Sequence, residues 1–457
     1  MGTRKRRERQ QDLWIAASDV VQTPGNAFYD RLNAVLDKRQ FDRRMEHLCR
    51  KFYKKSQYGR PSMAPGVYFR ALLIGYFEGL DSERGIAWRT ADSLSLRKFL
   101  GYGLDEQTPD HSTISRTRRL YWVETHKAVF RWVIKILVEE GLLSGQTISV
   151  DATTLEANAA MKSIVRRDNG LSYEEYLKGL AKAAGIENPS REQLARLDRK
   201  RKKKGSNEEW KSPTDPDARI TRMKDGRTHL AHKAEHAVDL SSGALLAVTL
   251  QAADAGDTTT IQQTVAQAQA VASRINERGV EEVVADKGYH SGQVLQNLHQ
   301  EAIRSYLPEP ERGRRNWRGE GKAVEQKRVY ANRRRVRGAR GKRLQKLRSE
   351  LTERSFAHMY QTGGMRRVYL RGRENILKRL LVQGAAFNLS LVLRKALGVG
   401  KPRQLQGVSM ELIGAFWRRV RGLGSILKAM SEAGRTLYRK VMLLAAIATS
   451  RRLSAVA

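Results

Sequence analysis

Thr147-Ile148-Ser149-Val150-Asp151 and Val280-Glu281-Glu282-Val283-Val284-Ala285-Asp286 set the fold expected of this chain. Each is a short β-rich run that closes on an aspartate, and turn or helix signals follow each one. Residues 228–238 and 244–250 are two further β-leaning runs about the turn Asp239-Leu240-Ser241-Ser242-Gly243. Beyond them an Ala/Gln-rich helix is expected from about Thr258 to Asn276, a second helix over about 291–301, and a short strand over Ala302–Leu307. Strands that first pair as a hairpin and then alternate with helices predict an α/β domain with a mixed sheet.

Open α/β sheets hold their ligands outside the strand ends. Asp151 and Asp286 can therefore meet on adjacent strands although they lie far apart in the chain. A third acid on a helix against the sheet would complete a set of hard oxygen ligands. Mg²⁺ takes few protein carboxylates and keeps water and phosphate oxygens as its other ligands. Two such ions can activate a water or a 3′-hydroxyl and stabilise the leaving oxygen of an in-line displacement. A lone aspartate at a strand end is more often a turn former, and the residues alone leave Glu350, Glu353 and Glu374 all open as the third acid.

Working outward, residues 40–125 carry helical periodicity through Phe69–Phe77, a helix start at Ser82-Glu83, and another at Pro109-Asp110-His111-Ser112 that runs through Leu120. The last of these places Arg116, Arg118 and Arg119 on an Arg-rich face, as a helix-turn-helix DNA-binding module would. Two basic, low-hydrophobicity segments interrupt the α/β pattern. Such blocks are commonly disordered or solvated, and both are expected to contact DNA in preference to being plain solvated loops. One spans about 160–222 and contains the basic run Arg199–Lys204. The other spans 311–343, with 14 basic and 3 acidic residues, including Arg333, Arg334 and Arg335. Trp210, Trp317 and Tyr330 lie in or beside them, and aromatics among arginines suit stacking on exposed bases. Helical signals return over 344–396, and a basic, amphipathic stretch follows Gly398.

Charge is the most informative bulk property. The 457 residues carry 85 Lys plus Arg against 48 Asp plus Glu, a net charge of +37. Such an excess favours a polyanionic partner, because each neutralised phosphate releases counterions. A single Cys excludes a disulfide framework and a Cys-based zinc site. The start MGTRKRRERQQDLW lacks the apolar stretch of a secretory signal, and runs such as Val441–Ala448 fall short of the ~20 residues of a membrane span. A soluble, cytoplasmic protein without membrane contact is expected.

Several separate motifs resemble those of bacterial insertion-sequence transposases of the DDE group. They are VDATTLEANA (150–159), RTHLAHKAEHAVDLSSGALLAVTLQAADAGDTTT (227–260), VVADKGYHS (283–291) and ELTERSFAHMYQTGGMRRVYLRGRENILKRLLVQGAAFNLSLVLR (350–394). GRPSMAPGVYFRALLIGYFEGLDSERGIAWR (59–89) and PDHSTISRTRR (109–119) resemble the amino-terminal domain of the same transposases. The resemblance implies an RNase H-like catalytic domain with Asp151 on the first strand, Asp286 after the fourth and Glu353 on the following helix. These three would be the catalytic and metal-binding carboxylates, with Mg²⁺ or Mn²⁺ as cofactor. In one branch of these enzymes the Glu has a Tyr seven residues before it, an Arg four before and a Lys seven after. Those positions here hold Lys346, Ser349 and Tyr360, which leaves Arg348 and Arg366 as candidate substitutes.

The organisation expected is thus a basic segment (1–39), a helical DNA-binding domain (40–125), an RNase H-like catalytic domain (126–396) and a basic helical extension (397–457). Arg333–Arg335, with Arg366, Arg367 and Arg371, would hold DNA phosphates. The protein would bind the inverted repeats of its own element, cut, and join the freed 3′-hydroxyl to target DNA. Two ends per element imply a homodimer. A nuclease that cuts without joining, or a remnant that only binds DNA, are the alternatives.

Three motifs are set aside. His232-Lys233-Ala234-Glu235-His236 fits the H-x-x-E-H zinc pattern, but that pattern needs a helix and a hairpin is expected here. Asp110-His111-Ser112 cannot stack into a catalytic relay and reads as a helix cap. Asp257 reads as the cap of the helix from Thr258, with a supporting role near the metal as the lesser reading.

Overall fold

The computed structural model describes residues 26–53, 62–201, 205–223, 225–311, 313 and 315–402. The basic start, most of the basic carboxy-terminal stretch, the run Val441–Ala448 and residues 202–204 lie outside the described residues. Residues 32–401 form one compact unit.

Seven helices open the described chain: α1 (Ala27–Asp37), α2 (Phe41–Cys49), α3 (Pro65–Phe77), α4 (Glu83–Ala91), α5 (Leu94–Leu100), α6 (His111–Leu120) and α7 (Val123–Glu139). Pro65 begins α3, where its missing N–H costs nothing, and almost all of that helix is buried. Ser82 caps α4 by accepting from the Gly85 N–H, and Asp110 caps α6 by accepting from the Ser112 N–H at 2.7 Å. Both starts agree with the sequence expectation.

Eight strands follow. β1 (Thr147–Glu156), β5 (Thr228–Asp239) and β6 (Leu245–Ala252) form an antiparallel meander. β7 (Glu282–Ala285) and β8 (Arg304–Tyr306) extend the sheet in parallel on the other side of β1. β4 (Arg219–Arg222) pairs with the start of β5. The order β6-β5-β1-β7-β8, antiparallel then parallel, is that of an RNase H-like sheet. Helix α10 (Asp257–Ala272) packs on β5 and β6, and α11 (Gly292–Gln300) connects β7 to β8. α12 (Lys322–Arg337) lies by β8, while α13 (Ala339–Phe356) packs against β1, β5, β7 and β8.

The 160–222 segment is not a solvated loop. It contains α8 (Tyr173–Ala183), α9 (Arg191–Lys200) and a ribbon of β2 (Val165–Arg166) with β3 (Trp210–Lys211). A local core of Ile164, Trp210, Ala218 and Ile220 closes it against Ala157 and Leu230 of the main body. The segment has a fixed structure, which its composition did not show, because its few apolar residues converge on one indole.

Helix α14 (Arg373–Leu397) is the spine of the unit. It packs against β6 on one side and against α3 and α7 on others. Gly384 makes the approach close: a Cβ there would stand 3.1 Å from Phe130 Cε2 and 3.2 Å from Val248 Cγ2. The Asn388 side chain both accepts from the Leu245 N–H and donates to its carbonyl, each at 2.9 Å. Helix α14 is long and apolar enough to cross a membrane by length and composition alone, but it is buried inside the protein as a core helix.

Candidate active site

The parallel ladder between β1 and β7 ends with Val150 opposite Ala285. The next residue on each chain is an aspartate, so Asp151 and Asp286 leave the ladder side by side. Contrary to expectation, β1 does not end at Asp151. It continues to Glu156 because β5 pairs with it as far as Ala231. What ends at Asp151 is pairing with β7 alone. Burial holds the Asp151 carboxyl above its ordinary range. The Ala152 N–H and the Arg348 charge oppose that shift, while the charges of Asp286 and Asp257 add to it.

Directly opposite Asp151 on β5 stands His236. It is fully buried, and burial depresses its imidazole to about 3, so the ring is neutral at working pH. Its Nδ1 lies 2.9 Å from Ser355 Oγ and its Nε2 2.6 Å from Tyr360 OH. Ser149 Oγ meets Thr352 Oγ1 at 2.6 Å. These buried hydrogen bonds key α13, and the π-helical turn Ala357–Gln361 after it, onto the face of the sheet that carries Asp151.

From α13, Arg348 Nη1 donates to Asp151 Oδ2 at 2.9 Å. Glu353 is exposed and opens onto a cavity of about 450 Å³ shared with Thr153, Glu156, His229, Tyr360 and Arg366. Thr153 is two residues past Asp151 on the same face of β1. The structure thus brings Asp151 and Asp286 together and leaves Glu353 in the neighbouring cavity. No group of three or more His, Cys, Asp or Glu among the described residues is close enough to hold a metal ion. The two aspartates are nevertheless a hard-oxygen donor pair that fits a divalent cation. The Arg348 guanidinium already supplies positive charge to one of them.

The sequence-chosen arginines divide. Arg116 and Arg119 are exposed on α6. Arg118 is a correction: it is buried, ion-paired with Glu83, and burial lowers its pKa to about 10, so it is a core residue and faces no phosphate. Arg333 is tied to Glu309 at 2.7 Å, and Arg335 donates to the Ser305 carbonyl at 2.9 Å, whereas Arg334 is exposed. Arg366, Arg367 and Arg371 are exposed on the segment entering α14, with Arg366 lining the same cavity as Glu353 and Arg367 over Tyr369. Trp210 is also corrected: 1% exposed, it has no face for a base.

Sequence reasoning missed a charged layer under the aspartates. Lys233 and Glu235 point from β5 toward α10. Lys233 Nζ donates to Asp257 Oδ1 at 2.5 Å. Asp257 is the first residue of α10 and not its cap, which is Gly256. Glu235, its pKa raised by burial against the pull of its hydrogen bonds, accepts from Thr260 and from Tyr289 OH, each at 2.9 Å. Two charges spaced by two in a strand flanked on both sides were the available signal. His232 and His236 of the set-aside zinc pattern lie on this strand, and His232 Nε2 meets Asp215 Oδ2 at 2.9 Å.

A mixed five-strand order with paired acids at the end of its parallel ladder defines an RNase H-like catalytic domain. The chain matches the Transposase DDE domain family over residues 146–389, and the Transposase domain (DUF772) family over residues 18–120. It belongs to the DDE transposase family, whose members act on DNA and are in general divalent-metal dependent. No curated protein matches it.

Proposed function

We propose that this chain is the transposase of an insertion sequence, and that it cuts the ends of its element and joins them to target DNA with Asp151, Asp286 and Glu353 as catalytic carboxylates. The observation that carries the reading is the Asp151–Asp286 pair at the end of the β1–β7 ladder, within a domain of this family. Mg²⁺, or Mn²⁺, bound there would supply Lewis acidity to a scissile phosphate and lower the pKa of a coordinated water or 3′-hydroxyl.

The chain's own residues supply placement. Asp151 and Asp286 present carboxylate oxygens toward the phosphate path, and Glu353 approaches from α13 along the same face. His236, neutral and held by two hydroxyls, keeps α13 at a fixed height above β1. Arg348 is within reach of a phosphate as soon as it releases Asp151. Arg366 lines the side of the Glu353 cavity, and the exposed Arg116, Arg119, Arg334, Arg367 and Arg371 neutralise flanking phosphates. Cleavage and joining are both in-line displacements at phosphorus, first by water and then by the freed 3′-hydroxyl, so one site serves both. Two ends call for two copies of the chain acting on DNA in the bacterial cytoplasm.

The test is a cleavage and strand-transfer assay on labelled element-end DNA with Mg²⁺ and then EDTA. Metal-dependent cutting followed by joining is expected, with Asp151→Ala, Asp286→Ala and Glu353→Ala each abolishing cleavage while DNA binding persists. Normal cleavage by all three variants would overturn the site. Cutting without joining would leave a nuclease.

A further inference from the structure

We propose that the Lys233–Asp257 pair is a positioning device that fixes the turn carrying Asp286, and so sets the cation affinity of the Asp151–Asp286 pair. This rests on the active site proposed above.

Lys233 is 4% exposed, in the middle of the sheet, and a buried ammonium is tolerated only when fully partnered. Its three donors are taken by Asp257 Oδ1 at 2.5 Å, the Ala255 carbonyl at 3.1 Å and Thr260 Oγ1 at 3.1 Å. All three acceptors belong to the entry of α10, so Lys233 fastens the first turn of that helix to β5. Asp257 is only partly covered, and its second oxygen is turned toward the 3₁₀ turn Lys287–Tyr289 that follows Asp286.

That oxygen has a defined neighbour. A Cβ on Gly288 would stand 2.8 Å from Asp257 Oδ2, closer than two such atoms can approach. Gly288 is not among the residues of positive φ, so the backbone conformation does not demand glycine there. The space taken by the Asp257 carboxylate does. One residue on, Tyr289 OH donates to Glu235 Oε1 at 2.9 Å. The turn is therefore seated at consecutive residues against the two charged positions of β5, Gly288 through Asp257 and Tyr289 through Glu235. Asp286, whose carboxylate already accepts from the Lys287 N–H at 2.5 Å, is held at the root of that turn. A shift of the turn would move Asp286 away from Asp151 without disturbing β1 or β7. Asp257 also places a fixed negative charge near Asp151.

The experiment compares Asp257→Asn and Gly288→Ala with the wild type, all as the full chain. It reads the Mn²⁺ concentration that half-saturates cleavage of element-end duplex, and Mn²⁺ bound to protein by electron paramagnetic resonance without DNA. Duplex affinity in EDTA and the melting temperature complete the set. Both variants should need about tenfold more Mn²⁺, the scale of residues that orient metal ligands, with weaker Mn²⁺ binding and unchanged duplex affinity. Gly288→Ala alters no charge, so agreement between the two identifies positioning. A metal response in Asp257→Asn alone would overturn the proposal in favour of charge. Wild-type metal response in both, or activity lost only in step with melting temperature and duplex binding, would overturn it as well. If Asp151→Ala still cleaves, the active-site reading fails first, and that result is separate from these.

Discussion

Two basic stretches interrupt the catalytic domain, and they are built on opposite plans. The stretch between β1 and β5 closes around a centre: the Trp210 ring lies 4.9 Å from Tyr173 and 5.4 Å from Tyr176, with the Arg166 guanidinium 5.6 Å above it. The stretch between β8 and α13 encloses no ring in this way among its described residues. Its Trp317 lies 6.2 Å from a 40%-exposed Tyr330, along a cavity of about 760 Å³. Arg315 and Arg333 there grip Glu309, each at 2.7 Å, and also face the two rings. An aromatic among arginines thus has two meanings. Where polar backbone folds back to enclose it, the arginine is a lid on a core. Where the ring sits on the outer side of a packed helix, as Tyr330 does on α12, it keeps a face toward solvent.

The largest effect that tests this contrast is expected at Trp210. Trp210→Ala should cost the insertion about 3–5 kcal/mol, as for other large-to-small aromatic changes. Limited proteolysis should then cut within 160–222 before the sheet is touched. Wild-type resistance would mean that the insertion has no centre after all.

Next comes its tether. Asp215 accepts from His232 and, through its other oxygen, from the Gly372 N–H at 3.3 Å. Burial opposes its ionisation, but the His232 hydrogen bond and charge outweigh that and hold its pKa below the ordinary value. A carboxyl with a depressed folded-state pKa stabilises above its unfolded value, and that stability is lost as pH falls through the folded one. Protease sensitivity of the insertion should rise on acidification through that window. Asp215→Asn should remove about 1.5–3 kcal/mol at neutral pH and flatten the profile. An unchanged profile would show the tether to be dispensable.

Trp317→Ala should do the reverse of Trp210→Ala. Thermal stability should move by less than about 0.5 kcal/mol, while single-stranded DNA affinity falls by about 1–3 kcal/mol if bases stack there. Loss of stability without loss of affinity would erase the contrast. The smallest effect is at Arg334: Arg334→Ala should weaken duplex binding a few-fold and lower the salt slope by about 1, with Arg335→Ala acting instead on stability, because Arg335 braces Ser305.

Much of the sheet was legible because its runs are β-branched and its turns polar. β5, β6 and β7 fall on the β-leaning runs that the sequence marks. Asp151 and Asp286 were legible as residues, but the end of β1 was not, since pairing to β5 is a tertiary fact that extends the strand past its β-rich core. Residues 160–222 were misread because composition averages over a segment, while a core needs only a few residues that meet. Arg118 was misread for the same reason: a helix face rich in arginine does not say which arginine finds Glu83. The Lys233–Asp257–Gly288 contact joins three distant parts of the chain, and no local pattern encodes such a meeting.

Helix α14 has a consequence for the order of synthesis. Its partners α3 and α7 leave the ribosome roughly 300 and 250 residues ahead of it, so at ~5–20 residues per second their apolar faces wait tens of seconds for cover. Meanwhile β6, which packs against α14, waits for the same helix. A chain that stops anywhere before residue 373 lacks the helix that packs against α3, α7 and β6 together. It would leave the ribosome as an exposed hydrophobic surface for chaperones and proteases, not as a partial DNA-cutting enzyme. Because the spine follows every element it covers, activity is contingent on synthesis having passed residue 397.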